Sequence, residues 1–159
     1  MRTLFCFILF SASFSLSAQT RNKDITRFTN ALNELALSSL PANYDPFTYD
    51  SAFHAVGDTL TCTIRYTEGF FIGRVRYAVA LKDIESVGHD LNLVLYVKEN
   101  AIQTYDQKDG ASGWTHVGHD YLILIGSVDD QNKKQMGMKR KIEKAWRKVR
   151  VEEEGRGRG

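Results

Sequence analysis

The tetrapeptide Val-Gly-His-Asp occurs twice in this chain, at 87–90 and at 117–120. Histidine beside aspartate is chemistry for moving protons and holding metals. One imidazole nitrogen binds the ion or proton while a carboxylate orients the other. His116 adds a further imidazole three residues before His119. On a helix, two histidines on one face can chelate zinc. Here the neighbouring residues read as strand and turn, and a spacing of three along a strand directs side chains to opposite faces. No H-E-x-x-H arrangement accompanies them. His54, His89 and Asp90 complete a site only through long-range folding, so no metal site is expected.

Other reactive groups are equally isolated. Ser38, Ser39, Ser51, Ser86, Ser112 and Ser127 lie outside any G-x-S-x-G elbow. Cys62 alternates inward on a strand, which suits packing better than a reactive thiolate. Asp129 and Asp130 are expected to cap the closing helix. No glycine-rich phosphate loop is present. No catalytic residue and no cofactor are therefore expected.

The strongest charge feature lies in 133–150, where Lys133, Lys134, Lys139, Arg140, Lys141, Lys144, Arg147, Lys148 and Arg150 stand against Glu143 alone. A solvated helix face complemented by Glu152 to Glu154 is the simplest expectation. The alternative is an anionic partner: a lipid headgroup, a cell-surface polymer or an acidic protein.

The elements that position these residues follow from hydrophobic periodicity. Asp24 to Ser39 reads as a helix, with Ile25, Phe28, Leu32, Leu35 and Ala36 on one stripe, Asn22 or Asp24 as cap, and Pro41 as stop. Pro41 to Asp58 reads as a long aromatic connector whose Tyr44, Phe47, Tyr49 and Phe53 pin it over the core, with a binding edge as the alternative. Thr59 to Tyr66 and Arg74 to Leu81 alternate as antiparallel strands. Phe70 and Phe71 sit at the tip of the loop between them, where polar residues are usual. Leu91 to Lys98 and Ala101 to Tyr105 read as a hairpin across Glu99-Asn100. Trp114 to Val117 and Tyr121 to Ser127 read as two further strands. From Asp130 to Arg150 the stripe Met138, Ile142, Ala145, Trp146, Val149 is helical.

Val56-Gly57-Asp58 is a third, partial copy of the repeated tetrapeptide. The three copies begin at 56, 87 and 117. Glycine and aspartate favour turns, so the copies read as punctuation before three strands of one sheet. Runs of strands with helices at both ends predict an α+β fold: a six- or seven-stranded antiparallel curved sheet or small barrel with an N-terminal helix and a closing amphipathic helix.

Length and ends bound the rest. Arg2, the apolar run Leu4 to Leu16 and the small residues through Ala18 form a secretory signal pattern, too short to span a bilayer. Removing 1–18 leaves 141 residues with 20 basic and 19 acidic side chains. That suits one globular domain over 19–151, followed by a disordered tail over 152–159. The balance gives no argument for nucleic acid. Cys62 is then alone and closes no disulfide. The expected location is periplasmic or extracellular, with no transmembrane segment.

YAVALKDIESVG resembles the phrase of the early strands in pleckstrin-homology-like domains, and MKRKIEKAWRKV resembles their closing helix, with Trp146 at a position that often carries tryptophan. The likeness spans about Thr59 to Val149, and small exported bacterial proteins with this layout are similar. It implies a binding or scaffolding fold rather than an enzyme. The basic loop that grips phosphoinositides in that family has no counterpart here. Arg65, Arg74 and Arg76 are the nearest candidates, without a lysine-rich loop between them. The expected function is a non-enzymatic binding domain for a protein or an envelope surface ligand, through Phe70-Phe71, the aromatic connector or the basic helix. A small-molecule or lipid carrier with a cavity between sheet and helix is one alternative. A metal-dependent hydrolase using His89, His116 or His119 is another.

Overall fold

The computed structural model describes residues 21–38, 47–69, 71–90, 92–120, 122–129 and 131–156. The signal pattern, Ser39 and Leu40, residues 41–46 of the connector, Phe70, Leu91, Tyr121, the cap candidate Asp130 and residues 157–159 lie outside them. Helix α1 covers 21–36. Its stripe Ile25, Phe28, Leu32, Leu35, Ala36 is buried as the spacing predicts. Asn22 and Asp24 stand inside the helix rather than at its cap. The Asp24 carboxylate accepts from Arg27 Nη1 at 2.8 Å, one turn on.

Eight strands follow: β1 (Phe47–Val56), β2 (Thr59–Tyr66), β3 (Gly73–Ala80), β4 (Ile84–Asp90), β5 (Asn92–Val97), β6 (Ile102–Lys108), β7 (Thr115–Asp120) and β8 (Leu122–Ser127). They form two sheets, ordered β1-β2-β3-β6-β7 and β4-β5-β8, with antiparallel pairing throughout. The α+β class and the flanking helices are as expected. Among the described residues the strand count is eight rather than six or seven, and two sheets replace the single curved sheet or small barrel.

Three sequence expectations are corrected by this topology. Half of the aromatic connector is strand β1. Its pairing with β2 slips between Tyr49 and Ser51 and again between Ser51 and His54. Two irregularities in ten residues break the alternation that would reveal a strand. The expected hairpin across Glu99-Asn100 does not pair with itself. β5 joins β4 and β8, whereas β6 joins β3 and β7. Asn100 takes a left-handed φ of 59° there, so the turn carries the chain from one sheet to the other. β5 is buried at five of six positions, which suits the centre of its sheet.

The repeated tetrapeptide is the third correction. Only its partial copy is a turn: Gly57, at φ 58°, closes the β1–β2 connection between Val56 and Thr59. The two full copies end strands β4 and β7. The strands after the three copies, β2, β5 and β8, belong to two sheets rather than one.

Helix α2 (Lys133–Arg156) closes the fold and runs five residues past Val151, through residues expected to fray. Asn132 caps it, its Oδ1 accepting from the backbone N–H of Lys134 at 3.1 Å and of Gln135 at 3.3 Å. Asp129 shapes the turn before the cap, accepting from the Gln131 N–H. The two helices run antiparallel. Ser38 meets Met138, Glu34 meets Lys141, and Phe28 packs on Trp146 at 5.3 Å between ring centroids. One core joins both sheets and this helical layer. Leu60, Val79 and Ile102 of the larger sheet meet Leu93, Leu95 and Ile125 of the smaller, with Phe28, Leu32, Ile142 and Trp146 from the helices. Tyr49 Oη ties the sheets by donating to the Ile125 carbonyl at 2.9 Å.

Candidate functional site

Three places could take a partner: the polar outer face of the larger sheet, the cationic groove between the helices, and a mainly apolar cleft between the sheets. On the sheet face, cross-strand register builds rows. Thr63, Arg76, Tyr105 and His116 stand opposite one another across β2, β3, β6 and β7. Thr61, Ala78, Gln103 and His119 form the adjacent row.

His116 and His119 share this face, against the expectation from their spacing. Their ring centroids are 5.1 Å apart. The cause is an irregularity in β7. Tyr105 pairs with His116 and Thr104 pairs with Gly118, which leaves Val117 without a partner. A bulge adds one residue and so shifts the alternation by one. Gly118 takes φ 154° there, a setting that residues with a side chain rarely adopt. The Gln103 carboxamide bridges the pair: its Oε1 lies 3.1 Å from His116 Nε2 and its Nε2 lies 3.1 Å from His119 Nδ1. Tyr105 packs edge-on against the His116 ring at 5.3 Å.

The other two histidines stand elsewhere. His89 Nε2 contacts the Val128 carbonyl at 3.2 Å. His54 Nε2 contacts Thr61 Oγ1 at 2.8 Å, and its Nδ1 lies between Ser51 Oγ and the Ala52 carbonyl. Among the described residues no three His, Cys, Asp or Glu side chains come together as a metal centre. The Asp90 side chain lies outside the described set. Burial pushes the Cys62 thiol up to about 12, so it stays protonated and packs as a small hydrophobe.

The arginines of the sheet face are mostly answered. Asp50 forms two 2.8 Å hydrogen bonds with Arg65 and also binds Arg74. The Arg65 hydrogen bonds hold the Asp50 carboxyl below the usual carboxylate range; desolvation, the next largest effect, opposes them, and the Arg74 bond adds to the lowering. The Arg76 guanidinium lies 4.0 Å above the Trp114 ring, a cation–π contact. Arg65, Arg74 and Arg76 therefore do not form an open anion grip.

The helical groove is different. Its volume is about 440 Å³, and Arg27, Asn30, Lys141, Lys144, Ala145 and Lys148 line it. Arg27 pairs with Asp24, and Lys141 with Glu34. Lys144 and Lys148 have no carboxylate partner among the described residues. The spacing of four along α2 places both ammonium groups on one face. The cation run of the sequence pointed to this helix. Arg27 and Asn30, the opposite wall, could not be found without knowing that α1 lies alongside.

The cleft between the sheets measures about 310 Å³. Phe47, Cys62, Ile64, Tyr66 and Tyr77 line it from the larger sheet, and Leu122, Ile123 and Leu124 from the smaller. Asp120 stands at its edge, accepting from Thr104 Oγ1 at 2.6 Å. Burial raises Tyr77 above the usual phenol range, with nearby Tyr66 and Asp120 adding to it. The tip residue Phe71 packs edge-on against Tyr66, with centroids 6.1 Å apart, so it is partly drawn into the fold. No helix among the described residues is long and apolar enough to cross a membrane. No protein-family model, curated protein or solved structure matches this chain.

Proposed function

We propose that this chain is an exported, non-enzymatic binding domain of pleckstrin-homology-like build, and that it docks on anionic lipid headgroups through the groove between α1 and α2. The carrying observation is the pair Lys144 and Lys148, which share one concavity with Arg27 and are unanswered by any described carboxylate. A lysine ammonium is a point charge suited to phosphate. Each such cation near an anionic surface contributes about 1 kcal/mol.

Two exposed apolar residues extend the same face. Leu37 lies seven residues after Asn30, and Val151 seven after Lys144. Seven residues are close to two helical turns, so Val151 repeats the groove-facing position of Lys144 on α2, while Leu37 follows directly on the end of α1. Both are about two-thirds exposed, at 67% and 68%. They stand near opposite ends of the helical layer, where shallow insertion into a bilayer would bury them.

Vesicle co-sedimentation tests the reading. The chain is expected to bind vesicles containing phosphatidylglycerol, to ignore pure phosphatidylcholine, and to release as salt rises. The double variant Lys144→Glu/Lys148→Glu should bind at least tenfold more weakly while keeping its fold. Equal binding to both kinds of vesicle would overturn the proposal.

The cleft between the sheets favours a second reading, a carrier for a small apolar ligand with one polar end. The lining is mainly apolar, with Asp120 and two tyrosines. The cavity lies between sheet and sheet, whereas the sequence reading had it between sheet and helix. Native mass spectrometry of protein taken from its own host would show an adduct if this reading holds, and bare protein would dismiss it.

A further inference from the structure

The bulge in β7 assembles a pair of imidazoles that the anion-docking reading does not use. His116 and His119 are both exposed, and both direct a ring nitrogen at the same carboxamide. The amide fixes their proton pattern. Its NH₂ only donates, so His119 Nδ1 accepts and presents a lone pair. Its oxygen only accepts, so His116 Nε2 donates. One ring therefore already offers a lone pair toward the shared point. The other does so by moving its proton from Nε2 to Nδ1, a tautomer change that leaves the ring neutral. If the Gln103 amide swings aside, two imidazole nitrogens face a common position. The amide oxygen remains close enough to serve as a neutral ligand.

We propose that His116 and His119, set side by side by the β7 bulge, form a surface chelate for a divalent late transition-metal ion, Cu(II) in preference to Zn(II), with the Gln103 carboxamide oxygen as a third protein ligand. Imidazole suits both ions, and divalent affinity rises to copper and falls again at zinc. Water fills the remaining coordination positions, because the pair lies on an exposed sheet face. The site belongs to β6 and β7 and is independent of the helical groove. Tyr105 supports it by packing against His116.

The test is isothermal titration of the purified full-length chain with Cu(II) and separately with Zn(II), joined to electron paramagnetic resonance of the copper form. One copper per chain is expected, with hyperfine coupling to two imidazole nitrogens and weaker binding of zinc. His116→Ala and His119→Ala should each weaken copper binding at least tenfold. His54→Ala, which removes a histidine at the far edge of the same sheet, should leave it unchanged. Both imidazoles are exposed, so the variants are expected to keep the parent melting temperature. Copper binding that survives in His116→Ala/His119→Ala, or a spectrum with a single imidazole, would overturn the proposal.

Discussion

The outer face of the larger sheet and the helical layer are both rich in cations, yet they differ in how those charges are met. On the sheet, Asp50 takes Arg65 and Arg74 together, and Arg76 rests on Trp114. Between the helices, Lys144 and Lys148 line a groove that has no acidic residue in its lining among the described residues. The distribution of partners, more than the number of cations, marks a place where an anion gains from binding. Charges already paired in the fold must lose one partner to take another. The sheet carries its own separate feature, the histidine pair, which owes nothing to net charge.

The largest effect is expected where the helical layer is unseated. Trp146 is 4% exposed and packs on Phe28. Trp146→Ala should cost about 3–5 kcal/mol, typical of a buried aromatic, measured by urea denaturation. It should also abolish vesicle binding by loosening the groove. A variant of unchanged stability would show that α2 is not seated in the core. The charge reversal at Lys144 and Lys148 comes next, with its tenfold loss of binding and little loss of stability.

Asp50→Asn sharpens the contrast from the other side. It removes the carboxylate that Arg65 and Arg74 share, leaving Arg65 only Asp109 at 3.6 Å and Arg74 only the Gln107 carboxamide oxygen at 3.3 Å, so the sheet face should gain affinity for anionic vesicles. The stability cost should be at most about 1 kcal/mol, as for exposed ion pairs. The sign of its pH dependence follows from the depressed carboxyl. Asp50 binds fewer protons in the folded chain than in the unfolded one as pH falls through the carboxylate range. Its contribution is therefore full at neutral pH and is lost on acidification toward its lowered folded value. Acid titration of the melting temperature should be shallower in Asp50→Asn than in the parent. Identical acid profiles would show that Asp50 gains nothing from its two arginines.

The smallest effect is expected at Phe71. The sequence places it at a loop tip, where Phe71→Ser would leave melting nearly unchanged. Its edge-on contact with Tyr66 predicts a loss of about 1 kcal/mol instead, read by thermal denaturation. No change would return Phe71 to the role of an exposed tip.

Much of the fold was legible where periodicity is clean. β2 runs over Thr59–Tyr66 as its alternation predicts, and both helical stripes are buried where their spacing of three and four places them, except Ala145, which is only partly buried. β1 was hidden because its bulges interrupt alternation, so its aromatics looked like loop anchors. β5 and β6 looked like a hairpin because they are adjacent and joined by a tight turn. Only competition among strands for partners sends them to different sheets. The candidate sites divide in the same way. The lysines of α2 announced themselves, whereas Arg27 and Asn30 did not.

Which residues turn inward follows from the order of residue types along the chain, since burying apolar area is favourable wherever it is periodic along one face. The sequence also set the charge of α2 and isolated Cys62 as a packing residue. The tertiary structure alone decided which strands pair, which helix walls the cationic groove, and that His116 and His119 stand together. Those outcomes depend on register between segments far apart in the chain. One unpaired residue, Val117, is enough to move a histidine from one face of a strand to the other.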